Sequence, residues 1–534
     1  AGVLTRLEPY FEAGHRLWSD AVSRKMYVTG GVGATGNEGF GRPYALPNIS
    51  AYSETCAVLM FMTLNQRLFM ATGDGRYIDV MERGMYNNAI DGVSISGDRF
   101  FYVNRLASAG DGRDARWARA SLECCPPNLA RFLASMPERI YAQDTRTGSI
   151  YVNLYASSAA TFPVRGEELT LTVRSGMPWS GESRIAIAAK RLTTAVIKLR
   201  IPGWASNRPS PGGLYRYLDP IGEKPSITVN GRAVDAAADA LGYVSIDRAW
   251  SNGDLVEVRL PVESRRIVAD EKVVEDRRRM AIERGPIVYC VEWPDTPDGK
   301  ALDLLVDRHA PLTPKRSAGS TGPLGDVVVV ETRATRTAKP DAPAAATLIP
   351  YALWANRGVG EMSVWMSTSG YAVGDVGPAG GIIFYENPDA ARDGWRYLEA
   401  APFDQSSGAK WGCFRRIIDG ARGTAIGAGR QNTADMIAAC AEPETAARLC
   451  ADFTFNGIGG WFLPSHEELL LMYRNLKAAG LGAFLDGGMP DNVSYWTSSQ
   501  DTADMSTHID FADAGRVHSD DKDFPRRVRA VRTI

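Results

Sequence analysis

The chain has 534 residues, of which 45% are hydrophobic and 23% charged, and 60 basic against 62 acidic side chains leave a formal net charge of −2. This composition excludes a disordered, collagenous or coiled-coil protein, and the length allows about three or four domains. The balanced charge gives no indication of a nucleic acid or an anionic membrane as partner, so we expect a neutral ligand.

The sequence also predicts no helix that spans a membrane. Its longest apolar run, Ala57–Met62, is far shorter than the roughly 18 residues that such a helix needs. No basic and then apolar leader precedes Ala1, so we expect a soluble protein without a targeting segment.

Residues 1–141 predict an incomplete helical domain. Apolar side chains on nearly every turn of Glu54–Thr72 favour a helix that is buried on more than one side. Tyr77–Ile90 and Leu129–Ile140 are further helical stretches, whereas Phe100–Val103 resembles a short strand. About four helices of this kind form only part of a multilayer all-α domain.

Residues 142–262 predict a β-sandwich, because the hydrophobic period falls there from about 3.6 to 2. Asn230-Gly231 is typical of a hairpin turn. The pattern resumes in residues 263–369, for which we expect a second β-sandwich or accessory β domain, although the composition of Asp295–Ala346 predicts long loops. The strands expected in the first sandwich are Ile150–Leu154, Glu168–Val173, Arg184–Ala188, Val196–Ile201, Ser226–Val229, Tyr243–Ile246 and Leu255–Leu260.

Residues 370–534 predict a separate α+β module, because a glycine-rich composition begins there. Ser465 and Glu468 form a capping-box pattern that indicates a helix start. Cys440 and Cys450 either pair in an oxidising compartment or remain buried thiols, and the sequence leaves both open. Strands are expected at Ile382–Tyr385, Tyr495–Thr497 and Arg527–Val531.

Three early cysteines and a glutamate form a candidate metal site. If Ser53 caps the predicted helix, Glu54 and Cys56 lie in its first turn and can reach one point ahead of it. Together with Cys124 and Cys125 they supply three thiolates and one carboxylate, a full tetrahedral set for Zn²⁺.

The paired cysteines precede two prolines. Pro126 and Pro127 should bar Cys125 from helical geometry and start a helix at Asn128, so that both thiols lie ahead of a positive helix end that favours thiolates. The alternatives are small residues buried in a helical core, a closed structural zinc site, and a strained disulfide between Cys124 and Cys125.

Glu38 lies in the glycine-rich loop Tyr27–Gly41. The loop lacks the Lys-Ser/Thr of a phosphate-binding loop and the strand–helix setting of a dinucleotide fold. A carboxylate flanked by Tyr27, Phe40 and Tyr44 suits general acid/base catalysis, because partial desolvation raises the pKa of a glutamate. The alternative is a solvated loop glutamate.

In this order, these motifs resemble glycoside hydrolase family 127, the β-L-arabinofuranosidase family. The resemblance covers about residues 1–369 and implies an (α/α)6 barrel followed by β-sandwich domains. It is carried by Tyr27–Gly33, the Glu38 loop, Glu54–Cys56, Gly73–Arg83, Phe100–Asn104, Cys124–Asn128 and Ile349–Arg357.

The resemblance implies a zinc-dependent retaining hydrolase that acts on L-arabinofuranoside-containing glycans or glycoconjugates. Cys124 would be the nucleophile, Glu38 the acid/base residue, and Tyr102 a residue that contacts the sugar. The implied zinc ligands are Glu54, Cys56, Cys124 and Cys125.

Two departures from the family pattern affect this interpretation. Family members carry a longer N-terminal stretch that builds most of the barrel and supplies histidines to the sugar pocket. We therefore expect a truncated barrel, completed in a longer native chain, whose helices expose apolar faces here. Arg105 also stands where the family usually has proline.

Residues 370–534 resemble the Lcl C-terminal-like domain (domain of unknown function 1566), which implies a C-type-lectin-like fold. A second function therefore stays open: a non-catalytic carbohydrate-binding or surface-adhesion protein. Zinc-bound thiolates favour a reducing compartment, so we expect the cytoplasm rather than export. The matching segments are Gly374–Tyr385, Trp395–Pro402, Trp461–Ser465 and Tyr495–Ser499.

Overall fold

The computed structural model describes residues 8–36, 38–118, 124–219, 221–317, 324–336, 339–485 and 493–534. The chain divides into two compact units, residues 1–369 and 370–534. The expectation of a multidomain protein with much β structure is confirmed. Within the described ranges, no helix combines the length and apolar character needed to cross a lipid bilayer.

The first unit begins with helices that share one apolar core. A π-helical turn, Met85–Ala89, directly continues the third helix. Side chains such as Trp18, Val58 and Met81 are buried between the helices. The helices are α1 (Glu8–Arg24), α2 (Thr55–Thr72), α3 (Gly75–Gly84) and α4 (Cys125–Ala134).

Three of these helices, α1, α2 and α4, also carry exposed apolar side chains. Leu17 on α1 is 72% exposed and Met70 on α2 is 61% exposed. Tyr10, Met60 and Leu133 are also exposed on α1, α2 and α4. These helices therefore leave apolar surface uncovered in this chain.

The predicted β-sandwich is present. A six-stranded sheet, in the order β10-β9-β12-β6-β5-β4, and a four-stranded sheet, β11-β7-β3-β2, enclose one apolar core. Asn230 and Gly231 have φ values of 52° and 75° and join β9 to β10, which confirms the predicted hairpin. The strands are β2 (Tyr141–Gln143), β3 (Ile150–Val152), β4 (Ser158–Val164), β5 (Glu167–Ser175), β6 (Glu182–Ala189), β7 (Thr193–Arg200), β9 (Ser226–Val229), β10 (Arg232–Val234), β11 (Tyr243–Trp250) and β12 (Leu255–Arg259).

The other strands of this unit form an eleven-stranded sheet. Pairing of β14 with β15 closes six of them, β15-β19-β18-β16-β21-β14, into a barrel rather than the expected second sandwich. Closure removes sheet edges that a sandwich would leave open. The strands are β1 (Ala107–Ala109), β8 (Tyr215–Tyr217), β13 (Ser264–Ala269), β14 (Arg279–Arg284), β15 (Ile287–Glu292), β16 (Leu304–Asp307), β17 (Thr313–Arg316), β18 (Val328–Arg336), β19 (Lys339–Pro350), β20 (Glu361–Ser363) and β21 (Met366–Ser369).

Two sequence-based expectations for this region are wrong. Asp295–Ala346 contains β16, β17, β18 and part of β19 rather than long loops only. Phe100–Val103 is not a strand: Phe100 forms isolated bridges to Val93 and Trp117.

Buried ion pairs fasten the helices to the β domains of the first unit. Arg83 on α3 pairs with Glu283 on β14, and both side chains are almost fully buried. Arg200 at the end of β7 pairs with Glu82 over 2.7 Å and with Asp79 over 2.5 Å. These contacts fix α3 against both β domains.

The second unit contains a three-stranded sheet, β22-β23-β29, and a five-stranded sheet, β24-β28-β25-β26-β27. The predicted capping box is confirmed, because Ser465 and Glu468 bond reciprocally at the start of α8. The strands are β22 (Ile382–Glu386), β23 (Tyr397–Ala400), β24 (Ser406–Ala409), β25 (Ser494–Gln500), β26 (Met505–Asp510), β27 (Arg516–Asp521), β28 (Arg526–Val528) and β29 (Val531–Thr533). The helices are α5 (Ala390–Asp393), α6 (Gly429–Ala439), α7 (Ala446–Ala451) and α8 (His466–Met472).

A disulfide in this unit joins Cys413 to Cys440. The alternative pairing of Cys440 with Cys450 is therefore wrong, whereas the expectation of Cys450 as a buried thiol is confirmed. The spacing of the cysteines in the sequence does not indicate whether Cys440 pairs with Cys413 or with Cys450.

Candidate metal centre and active site

The structure brings the four predicted ligands together. Donor atoms of Glu54, Cys56, Cys124 and Cys125 all lie within 4.8 Å of one another. Glu54 Oε1 is 3.7 Å from Cys124 Sγ and 3.6 Å from Cys125 Sγ. Cys125 Sγ is 3.7 Å from Cys124 Sγ and 3.1 Å from Cys56 Sγ.

These distances fit a tetrahedral metal ion. Four ligands at about 2.3 Å from a tetrahedral centre lie about 3.7 Å apart. Three of the measured separations match this value, and the distance from Cys56 to Cys125 is shorter. Three sulfurs and a carboxylate oxygen are also a donor set that suits zinc. The sulfur atoms of Cys124 and Cys125 are too far apart for the disulfide alternative.

The backbone around Glu54 directs its carboxylate to the start of α2. Glu54 itself is the N-cap residue, with an extended backbone (φ −63°, ψ 141°), and Cys56 follows in the first turn. The expected cap, Ser53, instead donates its hydroxyl to Asn88 Oδ1 over 2.9 Å. The two ligands still share one helix start, as the sequence predicted.

The segment Tyr102–Asn104 holds this helix start in place. The Thr55 N–H donates to Tyr102 O over 3.0 Å. Asn104 Nδ2 donates to Ser53 O over 2.8 Å and to Thr55 Oγ1 over 2.9 Å. The backbone on both sides of Glu54 is therefore tied to one neighbouring segment.

Cys124 and Cys125 begin α4 rather than precede it. Cys124 is the N-cap residue, with φ −84° and ψ −45°, and Cys125 is the first helical residue. The expectation that the prolines bar Cys125 from helical geometry is wrong. Pro126 and Pro127 occupy the first turn, where their missing N–H groups need no intrahelical acceptor.

The three thiols differ in exposure. Cys125 is buried, Cys56 is half-buried, and Cys124 is exposed. Burial raises the pKa of Cys56 to about 11 and raises the pKa of Cys125 well above its ordinary value. For Cys125, burial therefore outweighs the helix end that was expected to favour the thiolates of Cys124 and Cys125.

Tyr102 lies beside the cluster, and Tyr52, which sequence reasoning missed, lies beside Tyr102. Burial raises the pKa of Tyr102 above its ordinary value, and the neighbouring side chains of Tyr52 and Glu54 add to this rise. The two rings meet edge to face, with centroids 6.0 Å apart. Tyr52 stands two positions before Glu54 in the sequence, and this proximity could have indicated that it belongs to the site.

Glu38 is exposed, so the expectation of a partly desolvated carboxylate is wrong. Tyr27, expected to flank it, is buried and donates its hydroxyl to Pro47 O over 3.2 Å. Burial raises the pKa of Tyr52, and the charges of Glu54 and Glu38 add to this rise. Glu38 therefore lies within electrostatic reach of Tyr52. Its backbone has a φ of 62°, which is uncommon outside glycine.

Asn128 is a second site residue that sequence reasoning did not assign. Its Nδ2 donates to Cys56 Sγ over 3.2 Å. Arg131 Nη1 donates to Asn128 Oδ1 over 2.6 Å, which fixes the orientation of the amide. Asn128 is the last residue of the Cys-Cys-Pro-Pro-Asn motif, and this position could have indicated that it belongs to the site.

Three family models match successive parts of the chain. They describe the GH127 catalytic domain of β-L-arabinofuranosidase over residues 3–138, its middle domain over residues 149–262, and the glycoside hydrolase family 127 C-terminal domain over residues 264–367. The catalytic-domain match includes all the site residues above.

Related proteins and solved structures carry the names of the same enzyme family. Non-reducing end β-L-arabinofuranosidase of Bifidobacterium longum subsp. longum is 31% identical over 387 residues, which are 66% of this chain and 55% of that protein. A solved GH127 β-arabinofuranosidase is 39% identical with a TM-score of 0.64, over 69% of this chain and 58% of its own. A solved GH127 β-L-arabinofuranosidase from Geobacillus stearothermophilus T6 is 32% identical with a TM-score of 0.61, over the same shares. The chain thus spans little more than half the length of these relatives.

Proposed function

Because residues 3–367 belong to glycoside hydrolase family 127, we propose that this protein is a retaining β-L-arabinofuranosidase with a cysteine nucleophile. The observation that carries the proposal is the exposure of Cys124 within a cluster whose other members are buried or half-buried. An attacking sulfur must reach the sugar, whereas ligands that only hold a metal need no access to it.

The cluster suits zinc, and the four side chains Glu54, Cys56, Cys124 and Cys125 would hold it. When bound, zinc would keep the thiols ionised and fix the position of Cys124. Burial of Cys56 and Cys125 supports this assignment, because buried thiols need a nearby positive charge to ionise.

The reaction requires two displacements at the anomeric carbon. In the first, Cys124 Sγ forms a bond to this carbon while the bond to the leaving oxygen breaks, and Glu38 gives its proton to that oxygen. In the second, Glu38 takes a proton from water, the water oxygen bonds to the anomeric carbon, and the carbon–sulfur bond breaks. Two inversions leave the anomeric configuration retained, and Tyr102 would contact the bound sugar.

The exposure of Glu38 leaves its carboxylate accessible to the water molecule from which it would take a proton in the second displacement. The left-handed backbone at Glu38 also supports its assignment, since strained conformations cluster at functional sites. The substrate class that we propose is L-arabinofuranoside-containing glycans or glycoconjugates, in line with the names of the related enzymes.

We propose the following domains: residues 1–141 contribute to an (α/α)6 barrel, residues 142–262 form the sandwich, and residues 263–369 form the accessory β domain. Residues 370–534 would form a C-type-lectin-like domain of the Lcl C-terminal kind. A mixture of short strands and short helices in this last unit, one of which starts with a capping box, supports that assignment.

The test combines metal analysis with hydrolysis of p-nitrophenyl β-L-arabinofuranoside. We expect one zinc per chain, loss of activity on removal of zinc by a chelator, and recovery on its return. Cys124→Ser should abolish turnover, and Glu38→Gln should slow it by about 10²–10⁴-fold.

Matched controls are Cys290→Ala, a buried cysteine outside the site, and Glu138→Gln, an exposed glutamate of the same unit. Both should keep the wild-type rate. Unchanged activity in Cys124→Ser would refute the proposal. Bound zinc without hydrolysis by the wild type would favour a non-catalytic carbohydrate-binding role.

A further inference from the structure

We infer that Asn128 is a positioning residue that holds Cys56 as a fixed metal ligand and thereby leaves Cys124 as the reactive thiolate. This inference rests on the proposed function, since it concerns which of three sulfurs attacks the sugar. It assigns a role to a residue outside the four ligands.

The three sulfurs differ in their hydrogen-bond partners. Cys56 Sγ accepts the Nδ2–H of Asn128 over 3.2 Å. In the part of the chain that the structure describes, the hydrogen-bond partners of Cys124 Sγ and Cys125 Sγ are other members of the cluster, among them Glu54 Oε1. Among these residues, Cys56 is therefore the sulfur that receives an N–H donor, and of the two others Cys124 is the exposed one.

Other residues of α4 hold Asn128 in the position from which it donates to Cys56. Asn128 lies one turn after Cys124, and its backbone N–H donates to Cys124 O over 3.1 Å. Arg131, three residues further on the same face, donates to Asn128 Oδ1 and so turns Nδ2 toward Cys56. The amide cannot flip without losing the bond to Arg131.

An N–H donor changes the chemistry of a thiolate. It withdraws negative charge from the sulfur, which makes that sulfur less nucleophilic and fixes its direction. Donors of this kind around a metal site typically account for 10–100-fold in metal affinity. Applied to Cys56 and not to Cys124, the effect makes the exposed sulfur the better nucleophile of the two.

Two measurements on the full chain test this role without relying on turnover. The first is zinc affinity, by competition with a chromophoric chelator. The second is the site of alkylation by iodoacetamide in the zinc-loaded protein, mapped by mass spectrometry. Asn128→Leu keeps the approximate shape of the side chain and removes the donor. We expect it to weaken zinc binding 10–100-fold and to shift alkylation from Cys124 alone toward Cys56 as well.

Arg131→Met provides a second variant that leaves Asn128 in place but frees its amide. We expect a smaller change in the same direction, and it serves as the test should Asn128→Leu fail to fold. Arg146→Met, an exposed arginine outside the site, is the matched control and should match the wild type.

The outcomes separate the two proposals. Wild-type affinity and unchanged alkylation in both Asn128→Leu and Arg131→Met would overturn the role of Asn128 and leave the proposed function intact. A wild-type protein that binds no zinc would overturn both.

Discussion

At the scale of single residues, burial controls the charge of Asp276. Its side chain is 4% exposed, and its Oδ1 accepts one hydrogen bond, from Asn48 Nδ2 over 2.8 Å. Burial raises the pKa of Asp276 to about 7. The folded chain therefore keeps this group protonated at pH values where the unfolded chain, with a pKa of about 3.9, has released the proton. Folding is consequently penalised as the pH rises from about 4 to 7, and the full penalty persists above 7.

Asp276→Asn should remove this penalty, because an amide stays neutral at every pH. We expect the variant to be more stable than the wild type by about 2–4 kcal/mol at pH 8 and to show little gain at pH 4. Thermal unfolding at the two pH values measures the difference. Asp247→Asn, an exposed aspartate on β11, is the control. A gain of equal size at both pH values would contradict the explanation.

At the scale of secondary-structure elements, α8 depends on its capping box. Ser465 Oγ accepts the Glu468 N–H, and Glu468 Oε2 accepts the Ser465 N–H over 2.7 Å. Ser465 Oγ also donates to Ala425 O over 2.8 Å. These bonds satisfy groups that the helix start leaves without intrahelical partners.

Ser465→Ala should destabilise this helix by about 1–2 kcal/mol, because it removes the cap and its tertiary bond. Native-state hydrogen exchange of His466–Met472 measures the change as faster exchange in that helix. Ser407→Ala, an exposed serine in β24, should leave exchange there unaltered. Equal protection of α8 in both variants would show that the cap contributes nothing.

Local signals explain how much of the fold could be predicted. The period of two, the Asn230-Gly231 turn and the capping box act within a few residues, and the structure confirms them. The loop prediction for Asp295–Ala346 was wrong because Pro, Ala, Thr and Asp dominate its composition, whereas its strands are stabilised by pairing within the barrel. Val328 to Val330, for example, is apolar on successive residues because both of its faces are buried.

The candidate site was likewise predicted only in part. Its four candidate ligands were grouped from sequence because their residue types are chemically distinctive. Tyr52 and Asn128 were missed because their roles depend on contacts with Tyr102 and Cys56 that spacing does not reveal. The exposure of Glu38 likewise depends on how the loop folds around it.

At the scale of the whole first unit, the pair of Arg83 and Glu283 joins the helical and β parts. Arg83 also donates to Val28 O over 2.7 Å, and Tyr217 donates its hydroxyl to Glu283. Desolvating both charges costs free energy, so the pair is a requirement for assembly rather than a large net gain.

Arg83→Met should therefore destabilise the protein by about 3–5 kcal/mol, since it leaves a buried carboxylate without its cation. The double variant Arg83→Met/Glu283→Leu should lose less, because no charge remains buried. Arg76→Met, which breaks a partly exposed pair with Asp74, should cost less than about 1 kcal/mol. Urea unfolding measures the free energy of unfolding of each variant. A double variant that is less stable than Arg83→Met would contradict this order.

The disulfide between Cys413 and Cys440 places a practical demand on anyone who purifies the protein. Its two cysteines are 7% and 5% exposed, whereas Cys124 lies open to solvent. Low concentrations of a bulky phosphine will therefore protect the accessible sulfur from air long before they reach the shielded crosslink. A high concentration of dithiothreitol would keep Cys124 reduced but would also reduce the disulfide between Cys413 and Cys440.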